Sequence, residues 1–179
     1  KKFADGGEVI VWETGRAGEE AASYENLFLR KEIAGFRTNI RREQSCSIKS
    51  LTRDYLYKQL LSSGEYTFDH MLVIKDPYGE APLTALALFI LEEPACVRVT
   101  TKGNLKETDF VTELPKKKEH RVPILGMYAE KANDIVIEIL DDEGNCVKSH
   151  TFTIRTKRLP KSLRNVITVK KWTDKPAYS

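Results

Sequence analysis

From residue 66 onward the chain is a succession of short apolar or alternating runs, at 67–75, 84–91, 96–101, 108–113, 119–125, 134–140, 146–155 and 165–172. DPYGEAP, LEEPA, KGNLKE, LPKKK, GMYAEKAND, DDEGN and TKRLPKS separate them, all of turn or loop composition. Strands at this spacing predict an all-β sandwich. Alternation sharpens the expectation. Ile135, Ile137 and Ile139 share one face while Glu138 takes the other; Val97 and Val99 oppose Arg98 and Thr100; Phe152 and Ile154 oppose the threonines beside them. One-sided burial of this kind belongs to an antiparallel sheet in a two-layer sandwich. The less alternating LTALALFIL reads as a central strand covered on both faces, with Pro94 stopping it. The predicted class is therefore mainly β: an immunoglobulin-like antiparallel β-sandwich with an N-terminal helical or extended extension.

The expected organisation is an extension over residues 1–64, a β-sandwich over 65–160, and a C-terminal strand and linker over 161–179. In the extension, EVIVW reads as a strand or arm and GRAGEEAAS as a loop. A helix is expected over 23–35, where Tyr24, Leu27 and Phe28 share a face. A better one is expected over 47–63. Ile48, Leu51, Tyr55, Leu56 and Leu60 recur at helical spacing, Ser47 stands as N-cap and Gly64 as stop. Its apolar stripe must bury against the sheet or against a domain outside the chain. In ILDDEGNCVKSH, Gly144 and Asn145 suit the positive φ of a tight hairpin turn. Tyr128 is the expected pin of the crossover from HRVPILGMY to NDIVIEIL.

Composition narrows the functional classes. A formal net charge of +3 is too slight for the basic stripe of a nucleic-acid binder. No run approaches the roughly 18 apolar residues of a membrane span. Cys46, Cys96 and Cys146 form no CxxC or Cys/His cluster, so no zinc site is expected, and three free thiols are favoured over a single disulfide with one thiol left over. The chain opens Lys-Lys-Phe without an initiator Met, which reads as a fragment or a processed product.

Chemistry-bearing residues are few. His70, His120 and His150 share the parity of apolar strand neighbours and read as half-buried, hydrogen-bonded histidines at strand ends, with no nucleophile or carboxylate ordered beside them. Glu19–Glu20, Glu92–Glu93 and Asp141–Glu143 read as solvated loop or turn carboxylates. Lys116, Lys117 and Lys118 read as a hairpin tip guarding an edge. Neither GxSxG nor a phosphate-cradling glycine motif occurs. No catalytic, cofactor-binding or metal-binding residue is nominated.

One resemblance goes further. DPYGEAPLTALALFILEEPACVRVTTKG and the later HRVPILGMYAEKANDIVIEILDDEGN resemble the N-terminal domain of bacterial aryl-sulfate sulfotransferases. In that family an NPYG…PLTAL entry, an EP turn, a V.VTVKG strand and an H.IPILGLY segment follow in the same order. Pro77 to Gly79, Pro82 to Leu86, Glu93, Pro94, Gly103, His120, Pro123 to Gly126, Tyr128, Asn133, Gly144 and Asn145 match. Asp76 stands where Asn is usual and Met127 where Leu is usual. SGEYTFDHMLVIK, leading into the motif, also resembles the family, so the likeness spans roughly residues 62–157.

The resemblance implies a parent enzyme in which a histidine on a large C-terminal β-propeller carries sulfuryl from an aryl sulfate to a phenol. This chain would be its non-catalytic domain, serving packing or assembly. The implied partner is that propeller, with homodimerisation open and no nucleic acid or membrane span involved. Family membership also implies an extracytoplasmic location, periplasmic or secreted. None of the propeller's catalytic residues carries over. The alternative is a stand-alone extracellular immunoglobulin-like binding module.

Overall fold

A computed structural model describes residues 2–3, 7–25 and 42–159, with side chains in the second helix described from Lys49 onward. The order is β1 (Glu8–Trp12), α1 (Thr14–Ala22), α2 (Arg42–Ser62), β2 (His70–Lys75), β3 (Ala85–Thr101), a 3-10 turn at Lys106–Thr108, β4 (Phe110–Ile124), β5 (Ala132–Leu140) and β6 (Cys146–Arg155). The helix expected over 23–35 falls from residue 26 onward outside the described residues, as does the strand expected over 165–172.

The expected strands at 84–91 and 96–101 are one. β3 runs 17 residues straight through Glu92, Glu93 and Pro94. It pairs along its length with β4, which likewise joins the expected strands at 108–113 and 119–125. The register slips between Ile90 and Ala95 and again between Ala95 and Val97. A bulge inserts unpaired residues and bends the strand, and proline is tolerated there because no ladder donor is required. Pro94 therefore marks a corner, not a stop.

The bend lets one ribbon serve two layers. Before it, β3 pairs with β2, and β1 joins β2 in parallel. After it, β3 pairs with β5, which pairs with β6. Among the described strands, all pairings but β1–β2 are antiparallel. Between the layers lies the main core, with Met71, Val73, Ala87, Phe89, Val97, Val122, Ile124, Ile135, Ile137 and Ile154 at its centre. On the outer face of the first layer, Leu72, Ile74, Leu86 and Leu88 pack against Trp12, Ala17, Ala21, Leu56, Tyr57 and Leu61. LTALALFIL is thus covered on both faces, by the second layer and by the helices.

Two expectations about the extension change. GRAGEEAAS is not a loop: Thr14–Ala22 is α1, whose Ala17 and Ala21, one turn apart, are buried. In α2, Ser47 lies inside the helix, not at its cap. The buried stripe is Thr52, Leu56, Tyr57 and Leu61, while Leu51 is exposed. The helix rotates this way because Tyr57 finds a buried acceptor, described below. Gly64 ends α2 as expected: its φ is +74° and its N–H reaches the Leu61 carbonyl at 3.2 Å.

Candidate functional site

Asp76-Pro77-Tyr78-Gly79 builds more than a turn. Asp76 has φ +45° and Gly79 φ +80°. Asp and Asn are the non-glycine residues that best tolerate this region, which rationalises an acidic or amide residue at position 76. The Pro77 carbonyl points into the helical layer. It accepts from Arg53 Nη1 at 2.5 Å and from the buried Tyr57 hydroxyl. Arg53 Nη1 also reaches Thr14 Oγ1 at 3.2 Å, tying α1 to the same point. Tyr78 Oη donates to Asp54 Oδ1 at 2.6 Å, and Arg121 Nη2, on β4, donates to the same oxygen at 2.5 Å. Burial raises the Tyr57 hydroxyl to about 12, the Arg53 charge opposing. The turn is a clasp joining the sandwich to both helices. Sequence reading placed its glycine but missed Arg53, Asp54, Tyr57 and Arg121, whose only signal is the four-residue spacing of Arg53 and Tyr57 on α2.

The three histidines occupy three different environments. His120 is 2% exposed, stacks on Phe89 and sits 2.9 Å from the Lys117 carbonyl. Burial lowers its basicity, against the backbone bonds that support the charged form. His150 is also 2% exposed, against the half-exposed strand end expected. It is sandwiched between Phe3 and Phe68 at centroid distances of 3.9 and 4.6 Å, and its Nε2 meets Asp69 Oδ1 at 2.8 Å. Hydrogen bonding from Lys148, then from His150, holds the Asp69 carboxyl below its usual range against the cost of burial. His70 is half-buried, 3.0 Å from Glu8 and stacked on Tyr66. Among the described residues no group of three or more His, Cys, Asp or Glu could hold a metal ion. Cys96 and Cys146 are free thiols.

The crossover is pinned by a different residue than expected. Tyr128 contributes backbone: its N–H donates to Asn133 Oδ1 at 2.7 Å, and its carbonyl accepts from Asn133 Nδ2 at 3.1 Å. Asn133, 1% exposed, also donates to the Lys131 carbonyl at 3.1 Å and to Thr156 Oγ1 at 3.3 Å. A short buried amide satisfies a tight loop without the reach of a phenol. In the β5–β6 hairpin Gly144 has φ +84°, while Asn145 stays at negative φ and the Asp141 carboxylate receives its N–H at 2.7 Å.

At the bend of β3 and β4 lies an open groove of about 880 Å³. Phe68, Ile90, Leu91, Pro94, Ile139, Leu140 and Val147 give it an apolar floor; Glu92, Glu93, Asp69, Asp141, Asp142, Lys116, Lys118 and Lys148 ring it. The lysine run is therefore not a hairpin tip. It lies mid-strand in β4, whose far edge has no neighbour among the described strands. Glu92–Glu93 lies on the opposite strand of the bend, and Glu19–Glu20 lies in α1 rather than in a loop.

Residues 72–157 match the family model described as the arylsulfotransferase Ig-like domain. No curated protein matches the chain.

Proposed function

We propose that this chain, whose residues 72–157 match the arylsulfotransferase Ig-like domain, is a non-catalytic module that packs against the catalytic domain of an aryl-sulfate sulfotransferase. The observation that carries the reading is the placement of the histidines. Sulfuryl transfer through histidine needs an imidazole nitrogen free to attack and cations around the transferring group. His120 and His150 are buried and hydrogen-bonded within the sandwich, and His70 is flanked by the Glu8 carboxylate and the Tyr66 ring rather than by cations that would hold a sulfuryl group. Supporting it, the clasp at Pro77 and the packing of α1, α2 and β1 on the first layer make the extension part of the same body as the matched segment. The extension and the sandwich are then read as one working unit. The β-propeller as partner, dimerisation and export all belong to this proposal.

The test is a sulfuryl-transfer assay of the purified chain with 4-nitrophenyl sulfate and phenol. No release of nitrophenol above the blank is expected. Turnover that survives repurification and disappears in His70→Ala would overturn the reading. The groove favours a second reading, a stand-alone extracellular immunoglobulin-like binding module. The intact mass of the protein from its native source separates the two: a much longer chain supports the first, a chain of this length the second.

A further inference from the structure

We infer that the groove at the bend of β3 and β4 is a docking site for an extended polypeptide segment that carries apolar side chains flanked by lysine or arginine. Three observations converge on that occupant. The floor supplies apolar contact, with Ile90, Leu91, Ile139, Leu140 and the 68%-exposed Val147 around one opening, a lining typical of sites that accept apolar groups.

The second observation is in the backbone. Residues Leu91 to Pro94 fall in the gap of the β3–β4 register and precede the first β3–β5 pair at Cys96. The bulge therefore brings main-chain groups without ladder partners to the wall of the groove. An extended peptide satisfies such groups by strand addition, which a compact small molecule does not.

The third is charge. Lys116 pairs with Asp142 at 2.5 Å and Lys148 with Asp69 at 2.6 Å. Asp141 accepts from the Glu143 and Asn145 amides at 3.0 and 2.7 Å. What remains uncommitted among the described groove residues is Glu92 and Glu93 against Lys118. Two exposed carboxylates against one ammonium favour a basic over an acidic ligand, and such complementarity selects the partner more than it sets the affinity.

The test is a chemical-shift titration of the full chain with two peptides, acetyl-Lys-Val-Ile-Val-Lys-amide and its twin with Glu at both ends. The basic peptide is expected to shift the amides of Leu91, Glu93, Leu140 and Val147 saturably, and the acidic twin to bind about tenfold more weakly. The double variant Glu92→Lys/Glu93→Lys, changed only at exposed positions, should lose or reverse that preference while keeping its melting temperature. Saturable shifts at these amides with equal affinity for both peptides would overturn the inference. So would the absence of saturable shifts into the millimolar range. Saturation of the same amides by 4-nitrophenyl sulfate, with neither peptide binding, would make the groove a small-anion site instead.

Discussion

Arg53 Nη1 donates to the Pro77 carbonyl oxygen at 2.5 Å, joining the middle of a helix to a turn 24 residues later. The Tyr57 hydroxyl reaches the same carbonyl. Leaving that carbonyl half-satisfied under the helix costs roughly 1–3 kcal/mol. Arg53→Ala should lower the urea midpoint by a corresponding amount, and Tyr57→Phe by a similar one. If both variants melt like the parent protein, the clasp carries no stability.

Tyr57 also contributes to the loss of stability at alkaline pH, as do Tyr66 and Tyr78, whose pKa values burial likewise raises. The folded pKa of Tyr57, about 12, lies above the ordinary value of 10. The unfolded chain thus loses the proton first, and stability falls as pH rises from about 10 towards 12. A series of melts across that range should show the decline. Tyr57→Phe should make it shallower while starting from lower stability, and an unchanged slope would remove Tyr57 as a source.

At the acid end His120 acts in the opposite direction. Burial lowers its basicity, so its contribution is complete above about pH 6.5 and is lost as pH falls below that towards the folded pKa. Asp69, held low chiefly by Lys148, adds a further loss as pH falls below the ordinary carboxylate range. Unfolding by urea at pH 7 and pH 5 should show His120→Phe losing less on acidification than the parent protein. Equal losses would assign the acid effect elsewhere.

Asn133→Ala deletes the amide bonds that pin the crossover, leaving the Thr156 hydroxyl on the Tyr128 carbonyl, and should cost about 1–3 kcal/mol, since the part-buried Tyr128 N–H loses its acceptor. Tyr128→Phe, which keeps the backbone bonds, should be near neutral. The reverse ranking in thermal melts would restore the phenol as the pin.

The helical layer should protect its own amides. Leu56, Tyr57 and Leu61 are buried on Leu72, Ile74, Leu86 and Leu88, so amides from Leu56 to Leu61 should exchange slowly in the isolated chain. Leu86→Asp places a charge under the helices and should abolish that protection. Fast exchange in the parent protein would mean that α2 packs on something other than this sheet.

The sandwich was legible because alternation reports one-sided burial directly: Ile135 and Ile137, Val97 and Val99, Phe152 and Ile154 all point inward as their spacing demands. The doubly covered strand was legible from its unbroken apolar run. The bend was not, because Glu-Glu-Pro and Leu-Pro-Lys are composed like turns, and only pairing over a distance shows that both strands continue through them. α1 was missed because glycine and alanine dominate it, although Ala17 and Ala21 stand one turn apart. The buried face of α2 was misjudged because Tyr57 is placed by a backbone carbonyl 20 residues away, a partner no local pattern records. The groove was invisible for the same reason: its walls come from five separate stretches of chain.

β3 belongs to both layers, and this governs how force travels through the molecule. Tension applied at α2 passes through the packing at Leu86 and Leu88 into β3, runs along that one strand past the bend, and crosses by ladder hydrogen bonds to β5 and then β6. No loop lies in that path to stretch first. The two layers are therefore one sheet folded over on itself, and neither can be peeled from the other without opening the ladders of β3.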